Sequence, residues 1–488
     1  MSNAGNEPAR LSVARGDKQF ILAPSTRQIS GENGLDPEWT DLPNDTLAPG
    51  ASAVIFLVEG TELALAPSLC PVPPLEPLSA FVPRGGLSPF IRLTSTEPVF
   101  ATYFYGYGLP EGAYVSASSA LRATGSWSTE FVDVGILQPG RTDIQEDFLG
   151  FYDAKRMVGF AAVLAKEPTR IEFAVDGGVE AEVIPGGWVR RLERDDLFIG
   201  TPIKSDHPVG LFVGAPMALM PYNVGSADNI ISQVAPPSAW GSEYAAVGYP
   251  PRKRDLDDPA LFRIVAANAG TALTYDPARP PGAPERLEAG QLAVFKSASA
   301  FVVRSQDTAH PIYVSVAMTG SVTACEIVPP PPDERDAGEG DTIYRECIGD
   351  PELVSVPPPA EFATRFAFVA PHYYPVTNLV LVRKRAASGN FADVTLDCAG
   401  VIQGWKPIDD GGIYETVTLP LSAGNYEPQA YPGGSCGLGP HTLSSSGPVS
   451  GYLWGWSHAG ADPNPDDDGR ARSYGFALYG IDPDKIIR

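Results

Sequence analysis

Ile203-Lys-Ser-Asp-His-Pro-Val-Gly-Leu-Phe-Val213 is the stretch on which the reading of this chain turns. Its core, Ser205-x-x-Pro208-Val209, runs straight into an apolar strand. The same pattern of hydroxyl, two residues, proline and β-branched residue recurs at Ser95-Thr-Glu-Pro98-Val99, Thr308-Ala-His-Pro311-Ile312 and Ser445-Ser-Gly-Pro448-Val449. The copies lie roughly 100–140 residues apart, the size of a domain rather than of a short solenoid repeat. Proline has no N–H to give to a ladder, so each copy is expected at the entry of the strand that closes a β unit.

A second pattern keeps step with the first. Trp127-Ser-Thr-Glu-Phe131, Trp240-Gly-Ser-Glu-Tyr244 and Phe362-Ala-Thr-Arg-Phe366 share the form aromatic-x-hydroxyl-charged-aromatic. On a strand the two aromatics share a face and point into the core, while the charged residue points outward. Alternating hairpins follow each copy, for example Arg170-Ile-Glu-Phe-Ala-Val-Asp176 and Thr271-Ala-Leu-Thr-Tyr-Asp276. About six or seven short strands per unit predict an all-β chain of tandem β-sandwich-like repeats of roughly 100–130 residues. The alternative is a closed repetitive β architecture such as a propeller, whose blades are shorter, about 40–50 residues. The expected units are an irregular N-terminal β unit (1–115), two β-sandwich repeats (116–225 and 226–345, the latter with the Pro-rich and acidic linker 329–341) and a C-terminal repeat (346–488).

The composition agrees. Gly 50 and Pro 50 signal many turns, and 43% hydrophobic residues still fill packed cores. The net charge of −23, from 35 basic and 58 acidic residues, repels phosphate backbones and argues against nucleic acid. No apolar run is long enough to span a membrane. Met1 to Ala4 reads as a vector-derived start, with any natural export signal removed.

The five cysteines contain no Cys-x-x-Cys pair. Cys398 with Cys436, and Cys325 with Cys347, are natural disulfide pairs and point to an oxidising compartment. Buried free thiols are the alternative, since spacing does not establish pairing, and Cys70 is left over.

Few groups suggest chemistry. Gly433-Gly-Ser435-Cys-Gly437 matches Gly-x-Ser-x-Gly but lacks the strand–elbow–helix context of a hydrolase, and no catalytic residue is assigned. His207 and His310 share a repeat position, so they belong to different units. They and His372, His441 and His458 read as turn or surface histidines. Asp462, Asn464, Asp466 and Asp468 alternate like the start of a calcium loop, but Gly475 stands where the bidentate glutamate belongs. Calcium is therefore the one cofactor candidate, against a solvated acidic hairpin tip. The clusters Arg252-Lys-Arg254 and Arg383-Lys-Arg385 suit local salt bridges. Tyr452, Trp454 and Trp456 share one strand face, either as core or as an exposed row that stacks on sugars or a protein.

Trp240-Gly-Ser-Glu-Tyr244, Phe262-Arg-Ile-Val-Ala-Ala-Asn268, Thr271-Ala-Leu-Thr274, Gly349-Asp-Pro-Glu-Leu-Val-Ser-Val-Pro-Pro-Pro359, Cys436-Gly-Leu-Gly-Pro-His441 and Ser473-Tyr-Gly-Phe-Ala-Leu-Tyr479 follow one another in an order that resembles the IgG-Fc-binding protein N-terminal family. The resemblance covers about residues 85–480. It implies a secreted or surface-displayed, non-enzymatic module without transferable binding residues. The expected function is extracellular or cell-surface binding or adhesion, with a protein or glycan ligand. The alternative is a structural subunit of a surface layer, fibre or particle.

Overall fold

The computed structural model describes residues 1–23, 25–30, 38–57, 72–76, 86–105, 117–136, 159–175, 178–193, 199–221, 228–253, 256–324, 326–328, 343–345, 347–424, 426–457 and 472–480. Among them the regular elements are β-strands and short 3-10 turns, so the chain is all-β.

The hydroxyl-x-x-Pro stretches form the corners of this architecture. Pro202–Ala218 is one continuous strand. Residues 202–205 pair with Ser128–Val132 and Thr169–Val175, whereas residues 209–218 pair with Phe160–Ala165 and Asp228–Val234. Gly439–Ser457 repeats the scheme: its first part pairs with Ala363–Ala370 and Val394–Leu396, its second with Val376–Lys384 and Arg472–Leu478. In the other copies the corner divides the strand in two. Phe301–Ser305 pairs with Glu243–Ala246 and Thr271–Asp276, and Ile312–Met318 with Ala260–Ala266 and Glu352–Ser355. Ile91–Ser95 pairs with Ala9–Arg15, and Thr102–Tyr105 with Ala117–Ala120. Each copy thus carries the chain from one layer to the next, as bent strands do where sheets meet.

The expectation that the proline stands at a strand entry holds for Pro311, which directly precedes Ile312–Met318. Pro208 and Pro448 lie inside long strands instead. They are tolerated there because residues 206–208 and 446–448 take part in none of the ladder pairs, so no donor is missed.

The register refines the repeat. Ser95 lies opposite Leu11, Ser205 opposite Ile171, Ser305 opposite Leu273 and Ser445 opposite Val394. The third counterpart is therefore Ser305, not Thr308, and that corner is longer. The following residue replaces the lost ladder acceptor with its side chain. Thr96 Oγ1 accepts the Arg10 N–H at 2.9 Å, Asp206 Oδ1 that of Arg170 at 2.8 Å, and Gln306 Oε1 that of Ala272 at 2.8 Å. A backbone donor leaving a sheet edge is satisfied in this way at little cost.

The aromatic pattern sits as expected, on strands that follow single 3-10 turns. Phe131, Tyr244 and Phe366 are buried, as are Trp240 and Phe362, and Trp127 is half-buried.

Four inner strands, Ala117–Ala120, Asp228–Val234, Glu352–Ser355 and Arg472–Leu478, touch one another in a closed cycle. Each pairs with a corner strand. Apolar clusters bridge the units: Leu261, Val265 and Tyr313 join the cluster around Phe131 and Leu211, while Tyr452, Trp454 and Trp456 join the one around Phe262 and Phe301. The chain start packs into the first unit, with Ser2 and Asn3 buried and the Met1 ammonium donating to Ala53 O at 2.7 Å.

Candidate functional site

The centre of the cycle is polar. Gln233 N–H donates to Ser119 Oγ at 2.9 Å, Ser118 Oγ to Gly475 O at 2.8 Å, and Ser473 Oγ to Asp350 O at 2.7 Å. Ser118 and Ser119 lie on the first inner strand and Ser473 on the fourth, and their hydrogen bonds link segments distant in the chain. At one end Asp228, Glu352 and Arg472 begin their inner strands, each opposite the late part of a corner strand. All three are buried. Burial, then the charges of Asp350 and Glu352, push the Asp228 carboxyl well above its ordinary range. Glu352 is raised by burial and by Asp350. Asp228 Oδ2 and Glu352 Oε1 have no hydrogen-bond partner among the described residues. Both carboxyls are thus biased toward the protonated form.

At the other end Arg122 forms a bidentate pair with Glu361 and donates to Tyr479 Oη at 2.8 Å, and the pair is largely covered.

One surface stands out. The strand Gly178–Ile184 pairs with Thr169–Val175 and ends its sheet among the described residues. Val179 and Val183 share its outer face and are 68% and 61% exposed. Large apolar side chains are otherwise mostly covered, so two on one face of an edge strand mark an interaction surface. On the strand's other face Glu180 and Glu182 border a cavity of about 430 Å³, with Arg190, Arg191, Phe173 and Leu192. Arg190 is held by Glu182 at 2.8 Å. The sequence signal was the Val-x-x-x-Val spacing in a strand with glutamates between, easily read as an ordinary half-buried strand.

Cys398 and Cys436 form a disulfide. Beside it His441 is buried, its Nε2 donating to Gly437 O at 2.9 Å and its Nδ1 3.2 Å from Asp397 Oδ1. Burial raises the Asp397 carboxyl, but the hydrogen bond and charge of His441 and the N–H groups of Thr442 and Cys398 outweigh it and hold the carboxyl below its usual range. His441 is thus a core residue and not a surface histidine. Asp397 and His441 adjoin the Gly-x-Ser-x-Gly stretch, yet Ser435 lies on the short hairpin strand Gly434–Cys436, and the ring nitrogen that would reach a nucleophile is engaged by Gly437.

Cys347 is disulfide-bonded; Cys325 and Cys70 lie outside the described residues, as do Asp462, Asn464, Asp466, Asp468 and His458. His207 and His310 are partly exposed in separate corners, next to Asp206 and Asp307. His372 lies in a turn, as one reading had it, but is fully buried rather than at the surface, and burial lowers it to about 4. Tyr452, Trp454 and Trp456 are core residues, which removes the sugar-stacking row. Of the basic clusters, Arg252 is buried against Asp258, and Arg383 and Lys384 pair with Glu415 and Glu243. Glu243, the charged residue of its pattern, also receives Arg304 and Tyr414 and so joins two units. No described helix is long and apolar enough to cross a membrane.

Repeated bent-strand units, disulfides and an open apolar edge define a disulfide-bonded all-β repeat protein. The chain belongs to the IgGFc binding protein family, whose model matches residues 124–455. No curated protein and no solved structure matches it.

Proposed function

We propose that this chain is an extracellular, non-enzymatic binding or adhesion module that takes an extended segment of a protein partner along Gly178–Ile184. The observation that carries the reading is the pair of exposed valines on a strand that ends its sheet among the described residues. Main-chain hydrogen bonds of an added strand supply affinity, and side chains of the partner pack on Val179 and Val183 to supply selectivity. Family membership supports a protein ligand, and immunoglobulin Fc is the first one to test. A structural subunit would use the same edge to pair with a second copy. The net charge of −23 opposes that self-association, so a separate partner is preferred.

The test compares the chain with a Val179→Lys/Val183→Lys double variant in a binding assay against Fc and surface proteins. The variant is expected to bind roughly tenfold or more weakly with its melting temperature unchanged, because exposed substitutions barely alter stability. Undiminished binding by the variant would overturn the edge as the site. Concentration-dependent growth of mass in light scattering, abolished in the variant, would favour the assembly reading.

A further inference from the structure

The Cys398–Cys436 disulfide lies inside a set of metal-ligand types. Asp397, Cys398 and His441 each offer one ligand atom, and these atoms lie within 4.8 Å of one another. Cys436, whose sulfur is bonded to that of Cys398, stands beside this group and becomes a fourth donor once the S–S bond is broken. Two sulfurs, one imidazole nitrogen and one carboxylate oxygen make the four-donor set that suits a tetrahedral zinc ion. The ring is already oriented for the task. Gly437 O can only accept, so Nε2 carries the proton that holds the imidazole in place, and Nδ1 faces the Asp397 carboxylate and the cluster, where a metal would replace the hydrogen that Nδ1 gives to Asp397. A backbone carbonyl fixing the far nitrogen is the usual support of a ligating histidine. Cys436, Cys398 and His441 are buried, while the Asp397 side chain is 38% exposed and leaves the cluster a way to solvent.

We propose that the reduced chain binds one zinc ion through Cys398, Cys436, His441 Nδ1 and Asp397, so that metal and disulfide are alternative fastenings of the same loop. A phosphine reductant supplies the electrons: it takes oxygen from water to become the phosphine oxide, the S–S bond breaks, and each sulfur gains one proton. Zinc then displaces both thiol protons and the Nδ1 proton given to Asp397, all three passing to solvent, as two S–Zn bonds and one N–Zn bond form. The metal itself changes no oxidation state. Before oxidation the ion would hold together strands that the disulfide holds afterwards.

Cobalt(II) is the probe, because tetrahedral thiolate–cobalt centres absorb in the near ultraviolet and the visible. The full chain is reduced with a phosphine under inert gas, titrated with cobalt, and then back-titrated with zinc. One equivalent should produce the thiolate-to-cobalt band, and zinc should erase it. The disulfide form should stay colourless. Cys436→Ser should lose the band, and His441→Ala should weaken binding by roughly a hundredfold. Cys347→Ser, which leaves the four donors in place, should keep it. The proposal is overturned if the reduced chain gives no band, if the band survives Cys436→Ser or His441→Ala undiminished, or if Cys347→Ser abolishes it. A reduced chain that loses its β-sheet circular dichroism and does not regain it with zinc overturns it as well.

Discussion

Arg122 and Glu361 stand 239 residues apart in the chain, and their side chains meet in a bidentate ion pair of 2.6 and 2.8 Å. Arg122 follows the first inner strand and Glu361 the third, so the pair spans the cycle of strands. Tyr479, just past the fourth, covers the guanidinium 4.5 Å from its ring. Gln233, from the second inner strand, accepts the Arg122 backbone N–H at 2.7 Å. All four inner strands thus meet at one arginine.

Removing one partner of a largely covered pair leaves the other charge without compensation. Arg122→Ala is expected to cost about 2–4 kcal/mol, read from the urea midpoint. Arg122→Met/Glu361→Met should recover part of the loss, because neither charge then remains buried alone. A single variant within about 0.5 kcal/mol of the parent would show that the pair does not hold the cycle closed.

Asp228 and Glu352 give the opposite sign from ordinary surface carboxylates. Their folded pKa values lie above the unfolded ones, so the native state holds more protons once pH exceeds the unfolded range near 4. Their contribution is complete below that range and is lost as pH rises through the folded values. Asp228→Asn and Glu352→Gln should therefore stabilise the chain at neutral pH by about 1–3 kcal/mol and make little difference at pH 4. Chemical denaturation at the two pH values checks this. A stabilisation equal at both would refute the protonation account.

His372 works in the other direction. Burial lowers it to about 4, below the unfolded value of about 6.5, so the unfolded chain binds the extra proton between those values. Stability should fall as pH drops from about 6.5 toward 4, by up to about 3 kcal/mol. His372→Gln should flatten that slope whatever it does to stability at pH 7. A slope identical in parent and variant would assign the acid sensitivity elsewhere.

Cys398–Cys436 closes a loop of separation 38 within the last unit. Cys436→Ser is expected to cost about 2–4 kcal/mol. Thermal melts of the parent and variant without metal measure it, and equal melting temperatures would contradict a stabilising link.

How legible this was depended on range. The aromatic pattern announced buried aromatics because strand alternation is local: Tyr244 and Phe366 point inward wherever their strand lies. The corners were visible as four copies, but the third was aligned on Thr308, since a longer corner loop displaces the hydroxyl that pairing assigns to Ser305. Cys398 and Cys436 were paired from their place in one unit, and the structure joins them. His372 and His441 read as turn or surface residues, and their burial was missed because it is set by neighbours far along the chain. The edge strand Gly178–Ile184 resembled any alternating strand, because a sequence does not show on which side a sheet stops.

What the sequence determined by itself was the all-β class, the repeat and the inward faces of the strands, for these follow from a period of two and from turn residues acting over a few positions. What only the tertiary structure decided was the closed cycle of inner strands, the meeting of Arg122 with Glu361, the burial of Asp228 with Glu352, and the exposure of Val179 and Val183. Those depend on which distant segments exclude water from which side chains, and that exclusion exists only once the units have packed together.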